Sequence, residues 1–341
     1  MKRLFLLMAV ILATALTATA QTAPERHGWE ENFSLYGDVE WVGIKTYELE
    51  EHDGELFYDE EKNTEVYEFN KAGNVFSYSC YDGDGNLMFM KLYGYNSKGK
   101  CSDLTEYDSE GNLLSRYEYF YNSEGKLTET HRYNSEEILY LKEIYEYDLK
   151  GNMTQHENQN PDGTLEVGYF FEYEEYDGIN NLIKEMQYDC NGIIAWKIEY
   201  SFPWRSTNPT EKILYLYGDN NTEQRWTYEY NEHGERIREY YYNTEGNLKY
   251  KIIYEYDPNG VLVGEYCFDS EMNSKWSSRI TFDTRGNKSS QVVINSQGDL
   301  MRRFSYEYDS SNNVIEIIEY YSPEEGFTSE YKKFTIGYRT E

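Results

Sequence analysis

One motif returns through this chain at a fixed interval, and that interval limits the fold more than any other feature. Tyr93-Gly-Tyr-Asn-Ser-Lys-Gly-Lys100, Tyr145-Glu-Tyr-Asp-Leu-Lys-Gly-Asn152, Tyr254-Glu-Tyr-Asp-Pro-Asn-Gly-Val261 and Tyr306-Glu-Tyr-Asp-Ser-Ser-Asn-Asn313 are copies of it. Its second aromatic falls at Phe69, Tyr95, Tyr121 and Tyr147, and again at Tyr230, Tyr256, Phe282 and Tyr308, in steps of 26 residues. A shorter signature lies between the copies, as in Tyr81-Asp-Gly-Asp-Gly-Asn86, Tyr107-Asp-Ser-Glu-Gly-Asn112 and Tyr242-Asn-Thr-Glu-Gly-Asn247. The turn aromatics therefore alternate at 12 and 14 residues, so each unit holds two turns and two strands. A repeat of this size builds an array from one stacked unit.

The turns have a common chemistry. Asp or Asn opens each one and can bond its own backbone two residues on; Gly closes it in the left-handed conformation. Gly85, Gly111, Gly125, Gly151, Gly192, Gly234, Gly246, Gly260 and Gly286 hold that slot. Between turns the strands alternate with period two. Tyr250, Ile252, Tyr254 and Tyr256 share one face; Lys249, Lys251, Ile253 and Glu255 share the other. Helices are excluded, because turns come too often and Tyr, Ile and Thr crowd the intervals. The expected fold is all-β: an elongated array of antiparallel hairpins in one long twisted, coiled meander sheet of roughly twenty strands.

The ends and the middle depart from the repeat. Residues 1–20 read as a signal peptide, with Lys2 and Arg3, an apolar run from Leu4 to Leu16, and Ala18-Thr-Ala20 before the cut. Residues 21–34 read as a flexible lead, and 35–341 as a single repeat domain. Within it, residues 35–68 form a capping hairpin and 327–338 a closing strand. An irregular insertion spans about 174–229, where Phe202-Pro-Trp-Arg-Ser-Thr-Asn-Pro209 replaces a turn.

Charge and cysteines narrow the partners. The chain has 32 basic and 62 acidic residues, a net of −30, which repels nucleic acid and anionic lipid. No apolar segment after the signal can span a bilayer as a helix. Cys80 and Cys101 fall two strands apart in a meander, beyond disulfide reach; with Cys190 and Cys267 they should be four free thiols. The loop Asp82–Asn86 lacks the ligand spacing of a calcium cage. The histidines have no metal-ligand spacing, and no nucleophile elbow or phosphate loop occurs, so no catalytic residue, metal or other cofactor is expected.

The aromatic rows are the functional candidates. Trp196, Trp226 and Trp276 share the phase of the tyrosines, where rings either pack on one another or stack on sugar faces. Trp204 and Arg205 sit in the irregular segment, the loop that breaks the scaffold. The resulting expectation is a non-catalytic exported scaffold at the cell envelope or outside it, binding a protein partner. The alternative is a glycan-binding module using the Tyr and Trp rows. A glycoside hydrolase is the third reading, although no carboxylate pair has a distinctive context.

The unit [Tyr/Phe]-x-[Tyr/Phe]-[Asp/Asn]-x-x-Gly-x-[Leu/Val] resembles the YD repeat of the Rhs and teneurin superfamily. With Leu35-Tyr-Gly-Asp-Val-Glu-Trp-Val42 ahead of it, the chain looks most like exported YD-repeat proteins of Bacteroidetes, over about residues 35–338. The resemblance implies a coiled β-sheet strip. The large Rhs members wrap such a strip around a toxin, but this chain has too few repeats to enclose a domain.

Overall fold

The computed structural model describes residues 26–339 except 30, 32, 53–54, 177, 219–220, 323–325 and 327. The signal peptide and the first residues of the lead lie outside the described residues. Every described element is a strand or a connection between strands, and there are 22 strands in one antiparallel sheet. Each strand pairs with the next in chain order, from β1 (Val39–His52) and β2 (Glu55–Phe69) to β21 (Val314–Tyr321) and β22 (Glu330–Tyr338). The irregular stretch keeps this order, with Trp196 opposite Leu216 and Lys212 opposite Trp226.

The expected open, elongated sheet is wrong. β22 returns to pair with β1, setting Ile336 opposite Val42 and Phe334 opposite Ile44, so the sheet closes into a barrel. Two physical reasons account for this. First, the returning strand bulges just past most turns: Met88 is skipped between Leu87 and Phe89, and Ser102 between Cys101 and Asp103. Bulges add right-handed twist and bend the sheet. Second, closure removes the two exposed edges that an open sheet would present.

The register sets the width. Tyr119 faces Thr130, and Thr130 faces Glu143, two residues short of Tyr145, the repeat equivalent of Tyr119. The pairing thus slips about one residue per strand, the ratio that tilts strands by about 36° in an eight-stranded barrel. With 22 strands at the usual spacing, a circular section would be about 40 Å across.

The turns form as their residues dictate. At Asp82 the carboxylate accepts the amides of Asp84 and Asn86 at 3.0 and 2.8 Å, and Gly85 follows at φ +83°. The Asp82 carboxylate is thus committed to its own backbone. Glu137 (φ 56°), Met272 (φ 67°) and Asn312 (φ 67°) occupy the same left-handed slot without being glycine. The second tyrosine of the long signature has a further role. The hydroxyls of Tyr121, Tyr147, Tyr256 and Tyr308 donate to the carbonyls of Cys101, Leu127, Arg236 and Lys288, each at 2.8 Å. Each hydroxyl thereby ties its strand end to the start of the previous strand.

The core sits at the seam. Leu35, Val39, Val42, Ile44, Tyr67, Phe69, Val75, Val314, Ile317 and Phe334 are all buried there. The described part of the lead packs onto them: Trp29 meets Tyr67 edge-on at 4.9 Å, and Phe33 meets Phe334 at 5.1 Å. Arg26 donates to the carbonyls of Gly73 (3.2 Å) and Gly37 (2.7 Å). The fully buried Asn313 holds both the amide and the carbonyl of Tyr36. All four cysteines are unpaired; Cys80, Cys101 and Cys267 are buried and Cys190 is exposed.

Candidate binding site on the inner wall

Closure gives the sheet an inner and an outer wall. Along β14 (Thr222–Tyr230) and β16 (Leu248–Tyr256), the exposed residues Glu223, Glu229, Lys249 and Glu255 all share the face opposite the tyrosines. The tyrosine face is the concave one. Its residues away from the seam are mostly half-buried, as expected for side chains that pack sideways along a wall while the wall itself stays wet.

The rings are arranged across strands. On β8 (Leu139–Tyr147), β9 (Met153–Gln159) and β10 (Leu165–Tyr176), Tyr145, His156 and Tyr169 form a continuous stack. Their centroids are 4.6 and 5.3 Å apart and their planes 9° and 17° from parallel. Trp196 extends the row at 6.4 Å from Tyr169. A second row runs from Trp226 to Tyr241 at 5.1 Å and on to Tyr250 at 4.9 Å. Ring faces used this way are spent on one another, and it is ring edges that point inward. Cations cover other rings: Arg236 lies 4.2 Å from the Tyr228 ring and Lys288 5.5 Å from that of Tyr306.

Charge on this wall is balanced locally. Arg132 grips the buried Glu143 at 2.6 Å, and Arg236 donates to Glu239 at 3.1 Å. Glu265 and Lys288 attract each other, as do Glu319 and Lys332. Tyr200 donates to Glu185 at 2.7 Å and Tyr254 to Glu239 at 3.2 Å. Burial raises the Tyr250 and Tyr306 phenols to about 12 and keeps them neutral donors. Burial lowers the His156 imidazole, opposed by Glu143 and aided by Arg132.

The outer wall is charged at mid-strand, with Arg116, Lys142, Arg225, Lys251 and Arg279. Arg116 pairs with Glu118 at 2.6 Å and Lys197 with Glu199 at 2.8 Å. A lipid-facing barrel needs an apolar outer band, and each Arg or Lys at its midplane costs about 2–4 kcal/mol. Neither wall supplies such a band. Among the described residues, no helix is long and apolar enough to cross a membrane.

The sequence candidates separate. Trp196, Trp226 and Trp276 all face inward, on different parts of the wall. Trp204 is 72% exposed in the connection after β12 (Ile194–Ser201), with the Arg205 guanidinium 4.4 Å from its ring. That loop lies at the rim opposite the Trp196 end of β12. Sequence reasoning passed over Glu143, His156, Asn158 and Gln187. The usable signal was the alternation of His156 and Asn158 on the face that carries Tyr145.

Fold and site together define a hollow, closed antiparallel barrel with a polar, aromatic-lined inner wall. No family model and no curated protein matches the chain. Among solved structures it is similar to a porin-like protein from Bacteroides uniformis: 13% identity, TM-score 0.28, covering 88% of this chain and 96% of that one. A porin-like protein from Bacteroides vulgatus gives 11% identity and TM-score 0.29, over 60% of this chain and 96% of that one. The structure TcdB2-TccC3-TEV gives 10% identity and TM-score 0.21, over 81% of this chain, which spans 23% of that one. These are weak structural links, and at such scores they carry no argument about function.

Proposed function

We propose that this chain is an exported, non-catalytic binding scaffold of the cell envelope or its surroundings, and that it holds a neutral, hydroxyl-rich ligand such as a glycan against its inner wall. The supporting observation is a contrast in charge. The chain carries a net of −30, yet Glu143, Glu239, Glu265 and Glu319 of the concave wall each lie against a cation, Arg132, Arg236, Lys288 and Lys332. Paired carboxylates of this kind do not select for a cation. The tyrosine hydroxyls, amides and ring edges of the wall suit a ligand that both donates and accepts hydrogen bonds. Export rests on the leader at residues 1–20.

A glycan array probed with the mature chain tests this reading. Several hits with micromolar affinity, weakened by Trp226→Ala, are expected; silence across neutral glycans would overturn it. A second reading, a protein partner, rests on the outer wall. Met88 (51% exposed), Leu114 (47%) and Tyr140 (45%) stand there on alternate strands. Leu114→Lys should then abolish capture of a partner without changing any glycan hit.

A further inference from the structure

The two ends of the barrel carry opposite charge at their turn tips, and we infer that copies of this chain stack end to end through them. This goes beyond the inner-wall reading and depends on no ligand. Consecutive strands send alternate turns to opposite ends. One end collects the turn at 82–86 and every second turn after it. The other collects the turn at 70–74 and every second turn after that, with the Trp204 loop among them.

None of the turns at the first end, from 82–86 to 295–299, contains a Lys or Arg. The first residue of a turn is committed to its own backbone, as at Asp82 and Asp108, but the third stands out in water. At this end the third residues include Asp84, Glu110, Glu136, Asp162, Glu245 and Glu271, all exposed. The tips of the second end instead hold Lys71, Lys98 and Lys150, with Lys100 and Arg205 beside them, all exposed. The acidic tips there, Glu124 and Glu232, lie 3.8 and 3.7 Å from Lys126 and His233.

Both ends also show bare apolar tips. Leu149 and Trp204 at the basic end and Ile193 at the acidic end are the three most exposed large apolar side chains among the described residues. Ile138 and Met272 join Ile193. A monomer gains nothing from apolar side chains at turn tips, whereas contact with a second end buries them.

The shapes match because one repeat builds both ends. Tips at either end stand two strands apart, about 10 Å, so two rings can mesh. A ring about 40 Å across and about 10 Å thick offers about 1,250 Å² per end; contact over half of it buries about 1,250 Å² in total, enough for a specific interface. The net of −30 opposes association, but it is screened beyond about 8 Å at physiological salt, while tips in contact are not. The contact joins unlike surfaces, so every stack keeps one acidic and one basic end free and grows as a filament with its lumens in line.

Sedimentation velocity of the mature full chain in about 0.15 M salt, from micromolar to millimolar protein, tests this. Wild type should form species that lengthen with concentration. Lys71→Glu, Lys98→Glu and Lys100→Glu together should move association to concentrations about a hundredfold higher or more, because like charges then face one another. Asp84→Lys, Glu110→Lys and Glu136→Lys together should do the same. Mixing the two triple variants should restore association, since each then meets complementary ends. Trp204→Ala should weaken it about tenfold, and Lys251→Gln on the outer wall should leave it unchanged. A wild type that stays monomeric throughout, association that neither triple variant weakens, or a mixture that stays apart overturns the inference. Circular dichroism checks folding; should one triple variant misfold, the other and Trp204→Ala decide.

Discussion

Trp29→Ala should loosen the barrel at its seam and nowhere else. Trp29 meets Tyr67 and Phe33 edge-on at 4.9 and 5.7 Å, lies 5.9 Å from Phe69, and donates Nε1–H to the Phe33 carbonyl at 2.8 Å. Core Trp→Ala changes cost about 3–5 kcal/mol, and Trp29 is only partly buried, so about 3 kcal/mol is expected. The loss falls on one region because the lead packs against β1, β2, β3 (Val75–Asp82) and β22. At 1.4 kcal/mol per factor of ten, local opening there should become about a hundredfold more frequent. Native-state amide exchange reads this directly. Amides paired across β1 and β22, such as those around Ile44 and Phe334, should exchange about a hundredfold faster, while those of β16 keep their rates. Equal acceleration around the whole barrel, or none at the seam, would refute the idea that the lead clamps the closure.

Three further outcomes follow from local chemistry. Met272→Gly and Glu137→Gly relieve left-handed strain and should each stabilise by about 0.5–1 kcal/mol, whereas Gly85→Val should cost about 1–2 kcal/mol; urea midpoints check both signs. Cys190 alone should react with a thiol reagent in the native protein, with all four reacting after unfolding without reductant, because burial pushes Cys101 and Cys267 up to about 11. Burial raises the Glu265 carboxyl, against the pull of Ser278 and Lys288, so its favourable contribution is complete below the unfolded carboxylate range and is lost as pH rises through the folded value. Glu265→Gln should therefore match wild type near pH 4 and exceed it at pH 7 in a denaturation series; the reverse order would refute this.

The local grammar was legible because it is written residue by residue. The Asp82–Gly85 turn, the alternation of Tyr250 with Lys251 and the pairing of consecutive strands need only neighbours in the chain. Closure was not legible. It depends on Ile44 meeting Phe334, a contact between residues 290 positions apart, and on bulges such as Met88 whose effect on twist accumulates over many turns. The tryptophans share the face of the tyrosines, as their phase in the sequence implies. Stacking among Tyr145, His156 and Tyr169 turns their ring faces toward one another, an arrangement that depends on three paired strands and that composition does not mark.

If slip per strand, not total strand number, is what the repeat encodes, the barrel should tolerate losing a whole unit. Removing residues 96–121 joins Tyr95 to Asn122 and restores the turn Tyr-Asn-Ser-Glu-Gly with its glycine at position 125. It deletes β5 (Cys101–Asp108) and β6 (Leu113–Tyr121) and lets β4 (Leu87–Tyr95) pair with β7 (Leu127–Tyr133). In register, Tyr93, Leu104 and Tyr117 are replaced by Tyr93 facing Thr130, since Tyr119 faces Thr130 in the intact chain and Tyr93 is its equivalent. Every remaining row keeps its one-residue slip, and the seam clamped by Trp29 and Asn313 is untouched. Diameter scales roughly with strand number, so the shortened barrel should be about 9% narrower by small-angle scattering while still closed. Removal of 24 residues instead would shift every inward side chain on one flank by two positions against its partners. A soluble, narrowed barrel from the first deletion and an aggregated or open sheet from the second would confirm that the 26-residue beat sets the register; equal behaviour of the two would end that argument.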